Sequence, residues 1–131
     1  MTKTLLYIDD NHVDIAIIKA MQDRYPAFGS ITYSTNAEQS ISYIKQNLQN
    51  QEALPDVIFL DIYMAPFSGW HFLDEFNDML PQIGKNIEIY IVSYSILPKD
   101  MHRSKQYDTV KSYFAKPVSK EAFMSFRVGS N

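Results

Sequence analysis

The sequence predicts an α/β fold in which five parallel strands alternate with five helices. Short apolar runs of strand length recur along the chain, and amphipathic stretches with helical spacing lie between them. A strand–helix repeat of this kind favours a parallel sheet with right-handed crossovers and helices on both faces. A length of 131 residues fits one domain, so we assign residues 1–131 to a single domain.

The predicted strands are four continuous apolar runs and one weaker segment. Continuous runs are typical of strands that are buried on both faces of a parallel sheet. The weaker segment is rich in β-branched residues and follows Gly29. In chain order, the five predicted strands are residues 5–8, 30–33, 57–60, 89–92 and 112–115.

Apolar residues at helical spacing predict four helices, and residues 98–110 form a fifth, weakly periodic candidate. The clearest helix is preceded by a capping box at residues 35–38. Its stripe is Ala37, Ile41, Ile44 and Leu48, and the other three stripes are Ile17, Ile18, Met21 and Tyr25, then Phe72, Leu73, Phe76 and Leu80, and finally Ala122, Phe123 and Phe126.

Composition and charge exclude several classes of function. The absence of cysteine rules out disulfide scaffolds, cysteine nucleophiles and thiolate zinc sites. A net charge of −3 argues against direct binding to nucleic acid. No apolar run approaches the 18 or so residues of a membrane span, so we expect no membrane association and a cytoplasmic location. His12, His71 and His102 lack metal-ligand spacing and are predicted to be surface residues.

Polar side chains follow four of the predicted strands at the point where each strand ends. Asp9 and Asp10 follow the first strand, and Asp61, Ser93 and Lys116 follow the third, fourth and fifth. Because ligands of open α/β sheets bind beyond the carboxyl ends of the strands, we expect these side chains to converge.

This set of side chains suits phosphoryl transfer. Carboxylates held close together repel each other, and a hard divalent cation such as Mg²⁺ relieves that repulsion. Asp61 could then act as a carboxylate nucleophile towards a phosphoryl group. Ser93 and Lys116 could hydrogen-bond to the phosphoryl oxygens or neutralise their charge.

Four motifs occur in order along the chain: Ile-Asp-Asp-Asn at 8–11, Leu-Asp-Ile-Tyr-Met at 60–64 followed by Gly69, then Ser93, then Lys116-Pro117. Together they resemble the motifs of response-regulator receiver domains of the CheY-like family, over essentially the whole chain. The resemblance implies a doubly wound (βα)5 fold with the flavodoxin-like strand order 2-1-3-4-5. It also implies that Asp61 accepts a phosphoryl group from a histidine kinase or a histidine phosphotransfer protein.

The resemblance further implies how the metal is held. Asp10 and Asp61 would bind Mg²⁺ directly, together with the main-chain carbonyl of Tyr63. Asp9 would act through a water molecule. The protein would be a phosphoacceptor with self-catalysed phosphorylation and dephosphorylation and not a turnover enzyme.

The resemblance also implies a switch. Ser93 and Lys116 would hold the phosphoryl oxygens, and Tyr113, three residues before Lys116, matches the aromatic residue that follows the motion of Ser93. A downstream protein target would read the change. The Lys116–Pro117 peptide bond is expected to be cis.

Two departures from the family pattern are informative. The family usually has proline four residues after its phosphoacceptor, whereas here that residue is Ala65 and Pro66 follows it. Tyr94 follows Ser93 where the family mostly has a small residue, and Tyr63 is also bulky. We expect both tyrosines to restrict access to the site and to lengthen the lifetime of the acyl phosphate.

Other interpretations compete with this one. Asp9 and Asp10 could cap the first helix, and Tyr113 could serve packing alone. An aspartyl phosphatase would need an acid where Tyr63 stands, and a flavodoxin-like cofactor carrier would need a Ser/Thr/Gly-rich loop after the first strand. A degenerate receiver that docks partners without phosphorylation stays open, as do a weak dimer and the choice between phosphorelay intermediate and terminal output.

Overall fold

The computed structural model describes residues 2–127 and confirms the predicted α/β fold. All four strand pairings are parallel, and the strand order is β2-β1-β3-β4-β5, as predicted. Met1 and residues 128–131 of the predicted domain lie outside the described residues. The strands are β1 (Thr4–Ile8), β2 (Ser30–Ser34), β3 (Val57–Leu60), β4 (Glu88–Ser93) and β5 (Val110–Ala115).

Five α-helices alternate with these strands within residues 2–127. They are α1 (His12–Arg24), α2 (Ala37–Lys45), α3 (Gly69–Met79), α4 (Pro98–Ser104) and α5 (Lys120–Met124), and a 3₁₀ turn, Leu80–Gln82, follows α3. The helix predicted over residues 98–110 is too long, because a turn follows Ser104 and Val110 already pairs with Ile89 in the sheet.

The helices cover both faces of the sheet, as predicted. Residues of α1 and α5 pack with Tyr7 and Phe59 on one face, in a core rich in aromatic rings. Residues of α2 and α3 pack with Ile8 and Ile58 on the other face. Two separate hydrophobic cores therefore hold the sheet from either side.

The stacking of Trp70 joins α3 to the segment that contains α4. The Tyr107 ring is stacked on the Trp70 ring at a centroid distance of 6.0 Å, and the Arg103 guanidinium lies 4.4 Å from the Trp70 ring centre. Cation–π contacts of this kind add to the apolar packing between two elements.

The central strand is buried throughout, whereas the two edge strands are not. Every residue of β3 is buried, but β2 and β5 each have a neighbouring strand on one side only. The expectation that residues 112–115 are buried on both faces is wrong, since Ser112 and Ala115 are exposed. An apolar run alone does not reveal whether a strand lies at the centre or at the edge of a sheet.

The buried face of α1 differs from the predicted stripe. Its buried residues are Asp14, Ile15 and Ile18, whereas Ile17 is 37% exposed and Tyr25 lies beyond the last helical turn. The apolar pattern alone left Asp14 out, because a carboxylate contributes nothing to a hydrophobic stripe.

Two helix ends also differ from the prediction. The N-cap of α2 is Asn36, whose side chain accepts a hydrogen bond from the Gln39 main-chain N–H, so the capping box predicted to start at Thr35 is wrong. Leu80 falls in the 3₁₀ turn and is exposed. Leu48 of the predicted α2 stripe lies beyond the helix and is half-buried, and Ala122 is also half-buried. The other predicted residues of the α2 and α3 stripes are buried, and so are Phe123 and Phe126.

Gly69 begins α3 against the backbone that follows β3. A Cβ atom at this position would lie 2.4 Å from the Asp61 carbonyl oxygen and 2.6 Å from the Ile62 Cα. Neither atom belongs to a flexible side chain, so the backbone itself would have to shift. The spacing between Asp61 and Gly69 therefore reflects a close approach of the helix start to the end of the strand.

We expect Gly69→Ala to lower the free energy of unfolding by about 2 kcal/mol, the usual cost of overpacking a tight backbone contact. Urea unfolding followed by circular dichroism measures this loss. Gly84→Ala is the matched control, because its Cβ would meet the flexible end of the Gln49 side chain at 2.7 Å. Equal losses in the two variants would contradict the special role of the Gly69 contact.

Candidate functional site

The carboxyl ends of the strands bring a lysine into a group of buried carboxylates. The Lys116 ammonium lies 2.6 Å from Asp9 Oδ2, 2.9 Å from Asp14 Oδ2 and 3.4 Å from Asp61 Oδ2. The Lys116 side chain is only 4% exposed. Because Asp9, Asp61 and Lys116 each directly follow a strand, the sheet itself places them together.

Asp9 is fully committed to contacts within the protein. Its Oδ2 atom accepts hydrogen bonds from Lys116 and from the Tyr7 hydroxyl, and its Oδ1 atom accepts one from the Asn11 main-chain N–H. The side chain of Asn11 caps α1 by accepting from the N–H groups of residues 13 and 14. Capping of the first helix by Asp9 or Asp10, one of the competing interpretations, is therefore wrong.

Three carboxylates lie close enough to hold one metal ion. Asp9, Asp10 and Asp61 each offer an oxygen, and these atoms lie within 4.8 Å of one another. Asp10 is exposed, and its carboxylate makes no hydrogen bond or ion pair within residues 2–127. An all-oxygen donor set with one uncommitted carboxylate fits a hard divalent cation such as Mg²⁺. The Tyr63 main chain is adjacent, since its N–H donates to Asp61 Oδ1 at 3.1 Å.

Burial and neighbouring charges shift the pKa values of Asp61 and Lys116. Burial raises the pKa of Asp61 to about 6, although the Lys116 charge and the Tyr63 N–H act in the opposite direction. Burial alone would lower the pKa of Lys116, but its hydrogen bonds to Asp9 and Asp14 outweigh that effect and raise it. Lys116 therefore stays protonated at neutral pH.

Ser93 is the last residue of β4 and is completely buried. Its Oγ atom accepts a hydrogen bond from the Ser95 N–H at 3.0 Å, and its carbonyl accepts one from the Lys116 N–H at 2.8 Å. Ser93 and Lys116 thus lie side by side on neighbouring strand ends. The peptide bond between Lys116 and Pro117 is cis, as expected, and so is the bond between Ala65 and Pro66.

Tyr113 is half-buried against the core on the α2 and α3 side of the sheet. Its hydroxyl donates a hydrogen bond to the Ser95 carbonyl at 2.8 Å. The ring thus contributes to packing, while the hydroxyl connects β5 to the loop that follows Ser93.

Two exposed tyrosines flank the site, and each donates its hydroxyl to a buried aspartate. Tyr94 is 60% exposed and donates to Asp14 Oδ1 at 2.6 Å. Tyr63 is 53% exposed and donates to Asp100 Oδ2, which also accepts a hydrogen bond from the Ser95 hydroxyl at 2.6 Å. The two predicted access-modulating residues are therefore held by hydrogen bonds on opposite sides of the strand ends.

Asp14 and Asp100 are two carboxylates beside the site whose contacts the sequence did not reveal. Both are buried, at 4% and 5% exposure. A signal for Asp14 existed, because an acid four residues before Ile18 shares the buried face of a helix that directly follows the Asp9-Asp10 pair. Asp100 carries no comparable signal in the weakly periodic segment that surrounds it. The three histidines are exposed, as predicted.

Solved structures of receiver domains and response regulators have the same architecture. A two-component response regulator from Cytophaga hutchinsonii superposes with a TM-score of 0.83 at 22% identity, over 95% of this chain and 93% of that one. The phosphorylated cyanobacterial phytochrome response regulator RcpA has a TM-score of 0.76 at 22% identity, over 97% and 90% of the two chains. The fold is that of a receiver domain.

A third similar structure was solved with ligands. The receiver domain of the histidine kinase CKI1 from Arabidopsis thaliana, complexed with Mg²⁺ and BeF₃⁻, has a TM-score of 0.75 at 16% identity, over 94% of this chain and 87% of that one. No protein-family model and no curated protein sequence matches this chain. Among residues 2–127, no helix has the length and hydropathy needed to cross a bilayer.

We expect Asp61→Asn to stabilise the metal-free protein more at pH 7.5 than at pH 4.5, by about 2 kcal/mol. Because folding raises the pKa of Asp61, the folded state binds the extra proton between about pH 4 and pH 6. Its contribution to stability is therefore present at low pH and is lost as the pH rises through about 6. Urea unfolding in EDTA at both pH values checks this.

Asp56→Asn is the control of opposite sign. Burial would raise the pKa of Asp56, but hydrogen bonds from Thr4 and Lys85 outweigh it and lower the pKa. The ionised Asp56 thus stabilises the fold above the pKa of the unfolded state, and this variant should lose stability at pH 7.5. A loss of stability in Asp61→Asn at pH 7.5 would show that its burial is not the dominant effect.

Proposed function

We propose that this protein is a receiver domain of a two-component system, spanning residues 1–131, which accepts a phosphoryl group on Asp61. The observation that carries this proposal is the grouping of a buried lysine with Asp61, Asp9 and Asp10 at the strand ends of a receiver fold. A histidine kinase or a histidine phosphotransfer protein supplies the group, and the reaction takes place in the cytoplasm.

Asp10, Asp61 and the Tyr63 carbonyl are the groups that would hold Mg²⁺, with Asp9 acting through water. The hydrogen bonds that occupy both oxygens of Asp9 support its indirect role, and the uncommitted carboxylate of Asp10 supports direct ligation. Bound there, the ion would neutralise charge on the carboxylates and on the incoming phosphoryl group. The Mg²⁺ and BeF₃⁻ complex of the similar Arabidopsis receiver supports the choice of ion.

The transfer exchanges one bond to phosphorus for another. A carboxylate oxygen of Asp61 forms the new P–O bond while the P–N bond of the phosphohistidine breaks, and its electron pair returns to the imidazole nitrogen. The Lys116 ammonium and the Ser93 hydroxyl bind the phosphoryl oxygens. Water later hydrolyses the acyl phosphate, so the protein catalyses its own phosphorylation and dephosphorylation and does not turn over a substrate.

The phosphorylated site then changes the surface formed by α4, β5 and α5. Ser93 moves towards the phosphoryl oxygens and shifts the loop that begins at Tyr94. Because the Tyr113 hydroxyl donates a hydrogen bond to the Ser95 carbonyl, a movement of this loop also displaces the Tyr113 ring. A downstream protein target binds one of the two states, or the phosphoryl group passes on within a phosphorelay.

One observation favours a second candidate, a receiver that docks partners without being phosphorylated. The Lys116 ammonium lies closer to Asp9 and Asp14 than to Asp61. A lysine that never leaves those two carboxylates could not serve the phosphoryl group. The next experiment separates the two candidates.

We expect incubation with acetyl phosphate and Mg²⁺ to add about 80 Da to the wild-type protein, the mass of one covalent phosphoryl group. Intact-mass spectrometry measures the gain. Asp61→Asn should show none, and EDTA should abolish the gain in the wild type because the carboxylates then lack their cation.

Asp56→Asn is the control for a general effect of removing a carboxylate, because Asp56 lies at the opposite end of β3 and should leave the gain intact. A gain of the same mass in Asp61→Asn would place the phosphoryl group elsewhere. No gain in any variant, with no transfer from a phosphorylated histidine donor either, would favour the docking module.

We expect Tyr63→Ala and Tyr94→Ala to lose the phosphoryl group about threefold faster than wild type, equivalent to a barrier lower by about 0.6 kcal/mol. Each ring flanks the site and limits the approach of water to the acyl phosphate. Decay of the phosphorylated mass after removal of the donor measures the rates. Tyr43→Ala, on α2 and away from the strand ends, is the control. Unchanged decay in both variants would rule out shielding.

A further inference from the structure

Asp14 is a buried carboxylate that the proposed chemistry leaves without a role. Its Oδ2 atom accepts a hydrogen bond from the Lys116 ammonium at 2.9 Å, and its Oδ1 atom accepts one from the Tyr94 hydroxyl at 2.6 Å. The Lys116 ammonium also lies 5.0 Å from the centre of the Tyr94 ring. Asp14, Lys116 and Tyr94 therefore contact one another pairwise beside the phosphoacceptor.

The geometry holds the Lys116 ammonium nearer to two other carboxylates than to the proposed phosphoacceptor. An ammonium has three hydrogens, and three carboxylates face this one, at 2.6 Å, 2.9 Å and 3.4 Å. The two shorter contacts are to Asp9 and Asp14, not to Asp61. Drawing the ammonium towards a phosphoryl oxygen on Asp61 therefore competes with its shorter contacts to Asp9 and Asp14.

The contact of Lys116 with Asp14 can be exchanged at lower cost than its contact with Asp9. Its distance to Lys116 is the longer of the two, and its side chain is 5% exposed, against 0% for Asp9. When the ammonium leaves, Asp14 keeps the hydrogen bond from the Tyr94 hydroxyl, as Asp9 would keep those from Tyr7 and Asn11, so distance and exposure are what distinguish the two. A buried carboxylate that retains a donor is far less costly than one left with none.

We propose that Asp14 is a positioning residue that competes with the phosphoryl group for Lys116, and that Tyr94 eases the exchange. The inference rests on the proposed function, since it assumes that Asp61 is the phosphoacceptor. In the unphosphorylated protein, Asp14 holds the ammonium away from Asp61. On phosphorylation, Lys116 leaves Asp14 for a phosphoryl oxygen, and the Tyr94 hydroxyl remains as the donor to Asp14.

The competition can be measured with beryllofluoride, which forms a tetrahedral adduct on a carboxylate oxygen, in the presence of saturating Mg²⁺. We expect Asp14→Asn to bind it about tenfold more tightly, because one charge-assisted hydrogen bond no longer competes for Lys116. Asp23→Asn removes the same charge from an exposed position on α1 and controls for net charge. Calorimetric titration gives the affinities.

Tyr94→Phe separates positioning from plain electrostatics, because it changes no charge. Without the phenol, Asp14 depends on Lys116 alone, so the exchange becomes harder and beryllofluoride should bind about threefold more weakly. In the Asp14→Asn background, the same substitution should have no further effect, because its influence passes through Asp14. Tyr43→Phe, an exposed phenol on α2, is the matched control and should bind like wild type.

The outcomes separate the two levels of the proposal. If Asp14→Asn and Asp23→Asn bind beryllofluoride with equal affinity, the competition is overturned. If Tyr94→Phe has the same effect in wild type and in Asp14→Asn, its influence does not pass through Asp14. If wild type and Asp61→Asn bind beryllofluoride alike, the proposed function itself fails, and the competition fails with it. If Asp14→Asn does not fold, the comparison of Tyr94→Phe with Tyr43→Phe decides alone. Equal affinities of these two variants for beryllofluoride would then contradict the proposal.

Discussion

The arrangement of the site depends on one buried ammonium. Asp9, Asp14 and Asp61 come from two strand ends and a helix, and Lys116 faces all three within 3.4 Å. Without that charge, the carboxylates would be buried close to one another with little to offset their repulsion. The lysine is itself fixed by the sheet, because its main-chain N–H donates to the Ser93 carbonyl on the neighbouring strand. The cation that holds the resting site together is thus also the cation that the proposed reaction has to redirect.

A second set of hydrogen bonds links the loops around this centre. Tyr63, in the loop after β3, donates to Asp100 on α4, and Asp100 also accepts from the Ser95 hydroxyl. The Ser95 carbonyl in turn accepts from Tyr113 on β5. Ser95 therefore connects the end of β4 to both α4 and β5 through different atoms. A displacement that starts at Ser93 has a physical route to the surface of the domain in either direction.

The sequence predicted those features that depend on local pattern. Asp9, Asp61 and Lys116 were placed together because a residue that follows an apolar run lies at a strand end, whatever the rest of the chain does. The exposure of Ser112 could not be read in the same way, since it depends on which strand lies at the edge of the sheet. Asp14 was missed because tertiary packing, and not the apolar pattern, decides which face of α1 is buried. The phenol–carboxylate contacts at both sides of the site depend on side-chain rotamers that carry no sequence signature.

The stacking around Trp70 gives the molecule an optical property of its own. Trp70 is the single tryptophan of the sequence, and it contacts an aromatic ring and a guanidinium that both come from the segment around α4. Indole emission is sensitive to nearby charges and to ring contacts. Because Trp70 lies on α3, which starts at the close backbone contact of Gly69 with Asp61, a movement of the α4 segment against α3 would alter its surroundings. The ultraviolet fluorescence of the unlabelled protein is therefore expected to respond to such a movement.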